Sequence, residues 1–249
     1  MKVAWDYTEL AKAYLKRPDY SEKALEDMFK KTHMTAGKRA CDVGAGVAHL
    51  TLPLLRYGLS VVAVEPNDEM RKYGSQRTEK MNDVKWIEGT GEDTRQPSDT
   101  FDLVTFGSSF NVTDRQKALQ ESHRILCPKG WFACMWNLRD LEDPTQKAVE
   151  DIITKHVPDY DYGTRRQDQT QTIINSGLFN TPEIIEGHTV HKVDRNEWVE
   201  AWNSHATLSR QAKDKRDLIV EEIKQEVAKR TDNTLDVPYV TKIWIAQKK

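Results

Sequence analysis

Between residues 39 and 137 the chain alternates short apolar runs with stretches of helical length, and this alternation limits the possible folds more than any other feature. The runs are Arg39–Val43, Ser60–Val64, Val84–Ile87, Phe101–Phe106 and Trp131–Trp136. Each is apolar nearly throughout, as a strand covered on both faces must be. Between them lie Leu50–Tyr57, Asp68–Lys80 and Arg115–Leu126. Asn67 and Asp114 suit the N-cap position, where a side-chain oxygen accepts an N–H that the helix start leaves unpaired. Cys127-Pro128-Lys129-Gly130 reads as a helix stop and a turn into the next strand. The alternation predicts an α/β fold, with right-handed connections and helices on both faces of a parallel sheet.

The flanks have a different texture. Residues 1–35 read as a helical lid carrying Trp5, Tyr7, Tyr14 and Tyr20, and residues 36–137 as the binding core. Residues 138–249 read as substrate-side helices and final strands, and the whole of 1–249 as one domain. Helices are expected near 144–155 and 168–176, strands at Glu183–Val193 and Tyr239–Gln247, and a charged helical region at Arg195–Lys229. Its last part, Lys213–Lys229, mixes both signs of charge and reads as a solvated face. An antiparallel final strand at Val240–Ala246 is expected to close the sheet edge.

Composition narrows the function. Lys and Arg number 37 against 39 Asp and Glu, a net charge of −2, so nothing draws the whole chain toward nucleic acid or an anionic membrane. No apolar run approaches the roughly 20 residues of a membrane span. The first residues mix charge with aromatics, unlike a signal or transit peptide. Cys41, Cys127 and Cys134 lack disulfide spacing and read as reduced core thiols of a cytoplasmic protein. No Cys/His cluster has zinc spacing, and His188 and His191 point to opposite faces of their strand, so no metal is expected. His123 reads as structural, and His49 as a cap or solvent-facing residue.

The informative segment is Cys41-Asp42-Val43-Gly44-Ala45-Gly46-Val47-Ala48-His49-Leu50, a strand end, a tight turn and a helix start. Ligands bind at the carboxyl ends of parallel strands, and glycines there let the backbone approach them closely. A dinucleotide fingerprint needs a third glycine where His49 stands, and Asp42 would repel a pyrophosphate. A nicotinamide-dependent oxidoreductase shares the fold but fits this loop poorly. A cationic ligand without phosphate fits it better. A second acid, Glu65, ends the next strand about 20 residues beyond the loop, where a carboxylate accepts from both hydroxyls of a ribose.

With these residues in place, the chain resembles a class I S-adenosylmethionine-dependent methyltransferase of the small-molecule type. The matching motifs are Asp42-Val43-Gly44-Ala45-Gly46, Val64-Glu65-Pro66, Gly89-Thr90-Gly91-Glu92-Asp93, Phe101-Asp102-Leu103-Val104 and Leu126-Cys127-Pro128-Lys129-Gly130. A more diffuse likeness, from Trp136-Asn137 to Pro238-Tyr239, is to trans-aconitate-type bacterial methyltransferases. The resemblance implies a Rossmann-like, doubly wound, mostly parallel seven-stranded sheet with an antiparallel last strand, a helical N-terminal lid and a C-terminal helical insert.

It also implies roles. Gly44, Ala45 and Gly46 line the methionine arm, Asp42 helps hold its ammonium and Glu65 clasps the ribose. Pro66 and Met70 pack near the adenine, Gly91 flanks its edge, and Glu92 or Asp93 accepts from its amino group. Phe106 and Gly107 form the floor below the sulfonium, while Tyr14, Arg17 and Tyr20 belong to a lid that reaches the cofactor carboxylate. Two positions depart from the family: Ala48 replaces a third glycine, and Asn111 replaces a histidine, removing a titratable group. Ser109, Asn111 and Asn137, with His205 from the insert, are the candidates for orienting the acceptor. Arg17, Arg139, Arg165 and Arg166 hint at an acidic one.

The expected partner is a small-molecule substrate rather than nucleic acid or membrane, for a monomer or homodimer. A tRNA methyltransferase and a non-catalytic cofactor-binding module are the other readings. The first would transfer methyl groups to bulk RNA, and the second would bind cofactor without turnover. No Asn-Pro-Pro-Tyr type base-flipping motif follows the fourth strand, where Phe106-Gly-Ser-Ser-Phe110 stands.

Overall fold

The computed structural model describes residues 11–203 and 205–249. Trp5 and Tyr7 of the expected lid lie outside that range. The chain runs α1 (Ala11–Tyr14), α2 (Glu22–Lys31), β1 (Arg39–Val43), α3 (Thr51–Arg56), β2 (Ser60–Val64), α4 (Asp68–Arg77), β3 (Val84–Ile87) and β4 (Phe101–Gly107). It continues α5 (Arg115–Ile125), β5 (Leu126–Arg139), α6 (Pro144–His156), α7 (Thr170–Asn175), β6 (Glu183–Asp194), α8 (Arg195–Asn203), α9 (Ala206–Ala212), α10 (Arg216–Ala228) and β7 (Thr234–Gln247).

The seven strands form one sheet in the order β3-β2-β1-β4-β5-β7-β6. β1 pairs in parallel with β2 and β4, β2 with β3, and β4 with β5, whereas β7 is antiparallel to both β5 and β6. This is the α/β sheet that the alternation predicts, doubly wound and with the antiparallel last strand that the resemblance implies. One expectation is corrected: the final strand does not close the sheet but inserts between β5 and β6. Ile243, Trp244, Ile245 and Ala246 of β7 are all buried and need cover on both edges and both faces. β6 alternates buried with charged or polar residues, which blunts an exposed edge.

The helix caps form as read. Asn67 accepts from Met70 N–H, Asp114 from Lys117 N–H and Asp143 from Gln146 N–H. The turn after α5 lies within the start of β5, where Leu126 already pairs with Phe101 before the register shifts. One sheet face packs Phe101, Phe106, Phe110, Phe132 and Trp244 against α5 and Ile173 of α7. The other packs Leu103, Met135, Ile243 and Ile245 against α2 and Leu54 of α3. A third core joins Val149 and Ile153 of α6 to Trp198, Trp202, Leu208, Ile219, Ile223 and Val227. The charged stretch 213–229 is therefore only half solvated, because one side of α10 lies in this core. Cys41 and Cys134 are buried, but Cys127 is half-buried in a turn with its thiol against the Asp99 carbonyl, so it is no core thiol.

Candidate functional site

The carboxyl ends of β1, β2, β4 and β5 meet at the glycine loop. Gly44 and Gly46 take φ of +68° and +56°, which only glycine adopts freely. A Cβ on Gly44 would lie 2.4 Å from Ser109 Cβ, whereas one on Gly46 would meet open space, so the loop is closed on one side and open on the other. Ala48, where the resemblance expects glycine, holds φ +73° and is fully buried. The backbone keeps the glycine conformation although the side chain has changed.

Glu65 is 6% exposed, and its two oxygens accept from Gly46 N–H and Asn67 N–H, both at 2.9 Å. Each oxygen keeps a further lone pair for a hydroxyl. Burial raises its pKa against the lowering by these two hydrogen bonds. Asp42 differs from expectation: its oxygens accept from Thr51 Oγ1 at 2.7 Å and Thr105 Oγ1 at 3.0 Å, inside the fold. Only 1% exposed, it ties the loop to α3 and β4 instead of reaching a ligand ammonium. Burial pushes its carboxyl up to about 6.

The expected adenine residues are brought together in part. Pro66 and Asp93 line a small recess with Glu88, Gly89, Thr90 and Arg95. Gly91 lies beside Thr113 and Phe106. The Glu92 carboxylate accepts from Asp114 N–H at 2.6 Å, tying this loop to the start of α5. Asp93 is exposed and accepts from Arg95 N–H. Met70 packs instead with Ala11 and Val47 beneath α1. Phe106 is fully buried among Phe110 and Phe132 and supports the floor from below.

The N-terminal segment is a strap across the strand tips. The Tyr20 hydroxyl lies 3.0 Å from Ser108 Oγ and from the place a Gly107 Cβ would take. Asn137 Nδ2 donates to the Pro18 and Asp19 carbonyls, and its Oδ1 accepts from Thr241 Oγ1. Thr241 in turn accepts from Ser21 N–H. The Arg17 guanidinium stacks on the Tyr14 ring at 3.6 Å, which holds it within the strap rather than extended toward a ligand.

The acceptor candidates are likewise engaged by the chain. Ser109 donates to the Val43 carbonyl at 2.6 Å, Asn111 accepts from Trp136 Nε1 at 3.0 Å, and His205 caps α9 by accepting from Leu208 N–H beside the Trp202 ring. Ser109, Asn111 and Asn137 all act on neighbouring backbone and side chains. His205 lies at the start of α9, beside Trp202 of the third core.

Four residues at the site have contacts that the sequence does not reveal, His49 among them, which is neither a helix cap nor solvent-facing. His49 donates from Nε2 to the Tyr14 carbonyl at 2.7 Å, with Nδ1 3.1 Å from the Asp19 carboxylate, so it joins the glycine loop to the strap. Ser108 holds φ +60°, a strained backbone at the tip of β4. Thr51 and Thr105 hold Asp42. Of these only His49 carried a signal, its place within the loop motif. Among the described residues no cluster of His, Cys, Asp or Glu could hold a metal ion, and no helix is long and apolar enough to cross a membrane.

The Glu65 carboxylate at the open side of the glycine loop disfavours a pyrophosphate and suits a hydroxyl-bearing ligand without phosphate. Residues 41–134 match the methyltransferase-domain family. That match takes in the glycine loop and Glu65. An uncharacterized methyltransferase of Mycobacterium bovis is 32% identical over 124 residues, covering 50% of this chain and 48% of that protein. The demethylmenaquinone methyltransferase of Staphylococcus haemolyticus is 30% identical over 130 residues, covering 50% and 52%. The chain thus spans about half the length of the curated relatives it matches. The fold extends further. A protein of Anaeromyxobacter dehalogenans solved as a candidate type II methyltransferase superposes with a TM-score of 0.68 at 16% identity, over 93% of this chain and 97% of its own. Phosphoethanolamine N-methyltransferase 2 of Haemonchus contortus, solved with S-adenosylhomocysteine, gives 0.56 at 16% identity over 96% of this chain and 56% of its own. These relatives do not carry the trans-aconitate likeness.

Proposed function

We propose that the protein transfers a methyl group from S-adenosylmethionine to a small-molecule acceptor by in-line displacement. The observation that carries this reading is the Glu65 carboxylate, buried at the tip of β2 and oriented by Gly46 and Asn67 N–H at the open side of the glycine loop. When bound, the cofactor supplies an electrophilic sulfonium methyl. Glu65 accepts the ribose hydroxyls, Gly44 to Gly46 face the methionine arm, and Pro66 with Gly91 to Asp93 borders the adenine. Asp42 acts one step removed, by holding the loop through Thr51 and Thr105.

Tyr20, Ser108 and the strap exclude water above β4 and align the acceptor, and orientation of this kind supplies roughly 7–11 kcal/mol in favourable cases. Ser109, Asn111 and Asn137 contribute by fixing the walls. No general base is assigned, and a nucleophilic acceptor needs none. A small molecule as acceptor is supported by the near-neutral charge and by the demethylmenaquinone and phosphoethanolamine named for two similar proteins.

Calorimetry tests the reading. S-adenosylhomocysteine binds the wild-type protein, and Glu65→Gln weakens it at least about tenfold, which corresponds to 1.4 kcal/mol. Equal affinity of the variant would remove the Glu65 assignment. Transfer of labelled methyl to bulk tRNA but not to a metabolite extract would replace the small-molecule acceptor.

A further inference from the structure

Arg139 is the last residue of β5, and its side chain is 9% exposed beneath the helical cap. Its Nη2 bonds the Glu150 carboxylate and the Tyr162 hydroxyl, and Tyr162 donates to the same carboxylate. Nε and Nη1 are buried without a hydrogen-bond partner, leaving three of the five guanidinium N–H groups unsatisfied. Buried charged donors are costly to leave unpaired, and folded proteins seldom do so without a purpose. Arg166 joins the same cluster, its guanidinium 3.5 Å from the Tyr162 ring centroid, and among the described residues it has no ion-pair partner. One carboxylate therefore faces two guanidinium groups, a net positive charge away from bulk water.

Arg139 ties the cluster to the end of β5 that the strap crosses. Arg139 shares a strand face with Asn137, which holds the strap, and pairs across the sheet with Tyr239. Burial raises the Tyr239 pKa, against lowering by the charge of Arg139, the hydrogen bond with Trp198 and the charge of Arg17. Trp202 lies 5.0 Å from the Arg139 guanidinium and adds an apolar wall.

We propose that Arg139 and Arg166 form the anion subsite of the acceptor, binding a carboxylate or phosphate group of the molecule that is methylated. This inference rests on the methyltransferase reading. An oxyanion accepts the N–H groups that the protein leaves unpaired and neutralises the second guanidinium, as arginine forks do for carboxylates and phosphates.

The test uses full-length protein saturated with S-adenosylhomocysteine, titrated with succinate or with inorganic phosphate and followed by tryptophan fluorescence. Sodium chloride at matched ionic strength is the control. The expected result is saturation by at least one oxyanion, weakened at least about tenfold in Arg139→Gln and in Arg166→Gln, with S-adenosylhomocysteine affinity unchanged. The anion that saturates at the lower concentration names the group. If Arg139→Gln fails to fold because Glu150 is stranded, Arg166→Gln decides, since it breaks no ion pair. No saturation above chloride, or wild-type affinity in Arg166→Gln, overturns the subsite while leaving the cofactor site standing. Failure of S-adenosylhomocysteine itself to bind removes the methyltransferase reading and the subsite with it.

Discussion

Asp42 shows how one residue's chemistry is reassigned by its surroundings. Its position in the loop motif marks it as a ligand group, yet two threonine hydroxyls occupy its oxygens. Burial lifts its pKa from 3.8 to about 6, so between those values the folded protein binds more protons than the unfolded chain. Stability from the protonated acid is thus complete below pH 3.8 and lost as the pH rises through about 6. Glu65, also raised, contributes with the same sign. Asp42→Asn should therefore become progressively more stable relative to wild type as the pH rises from 4 to 7, by at most about 3 kcal/mol. Urea denaturation at successive pH values measures this, and a difference independent of pH would show that Asp42 titrates normally. The glycine positions and Glu65 were legible in the sequence because their spacing follows from strand and turn geometry. The partners of Asp42 were not, since Thr105 is 63 residues away on another strand.

Among the elements, α4 and the strap decide how the glycine loop is held. Gly74 lets α4 lie directly on Trp86 and the loop: an added Cβ would stand 2.1 Å from the Trp86 ring and 2.8 Å from the Gly46 carbonyl oxygen. Gly74→Ala must push the helix or the loop aside. Overpacking of this kind costs about 1–3 kcal/mol. A lower denaturation midpoint together with weaker S-adenosylhomocysteine binding is expected, and a variant with unchanged affinity would show that the loop does not depend on α4. Strand and helix positions in the core were legible, because period and caps are local. β1, β2 and β3 fall where the apolar runs place them. β5 is longer than its apolar run, because Asn137 and Arg139 join the strand through pairing with β7 rather than through their own hydrophobicity.

At the scale of the whole molecule, the sheet and the cap have separate apolar cores. Ile223 is fully buried in the cap core, and truncating such a side chain costs about 2–5 kcal/mol. In Ile223→Ala, amide exchange should speed up across α8 to α10 while β1, β2 and β4 keep their protection. A uniform loss of protection would instead make sheet and cap one cooperative unit. The arginine cluster hangs between them, with Arg139 on the sheet and Glu150 and Arg166 on the cap side.

What the linear chain settles here is whatever repeats locally or depends on neighbours in sequence: the alternation of strand and helix, the glycine turn, the acid after β2 and the capping residues. Tertiary structure alone decides where the last strand inserts, what Asp42 and His49 touch, and that Arg139 meets Arg166 with donors to spare. Those contacts join residues far apart in the chain, and burial, rather than residue type, sets which of their charges and hydrogen bonds remain available to a ligand.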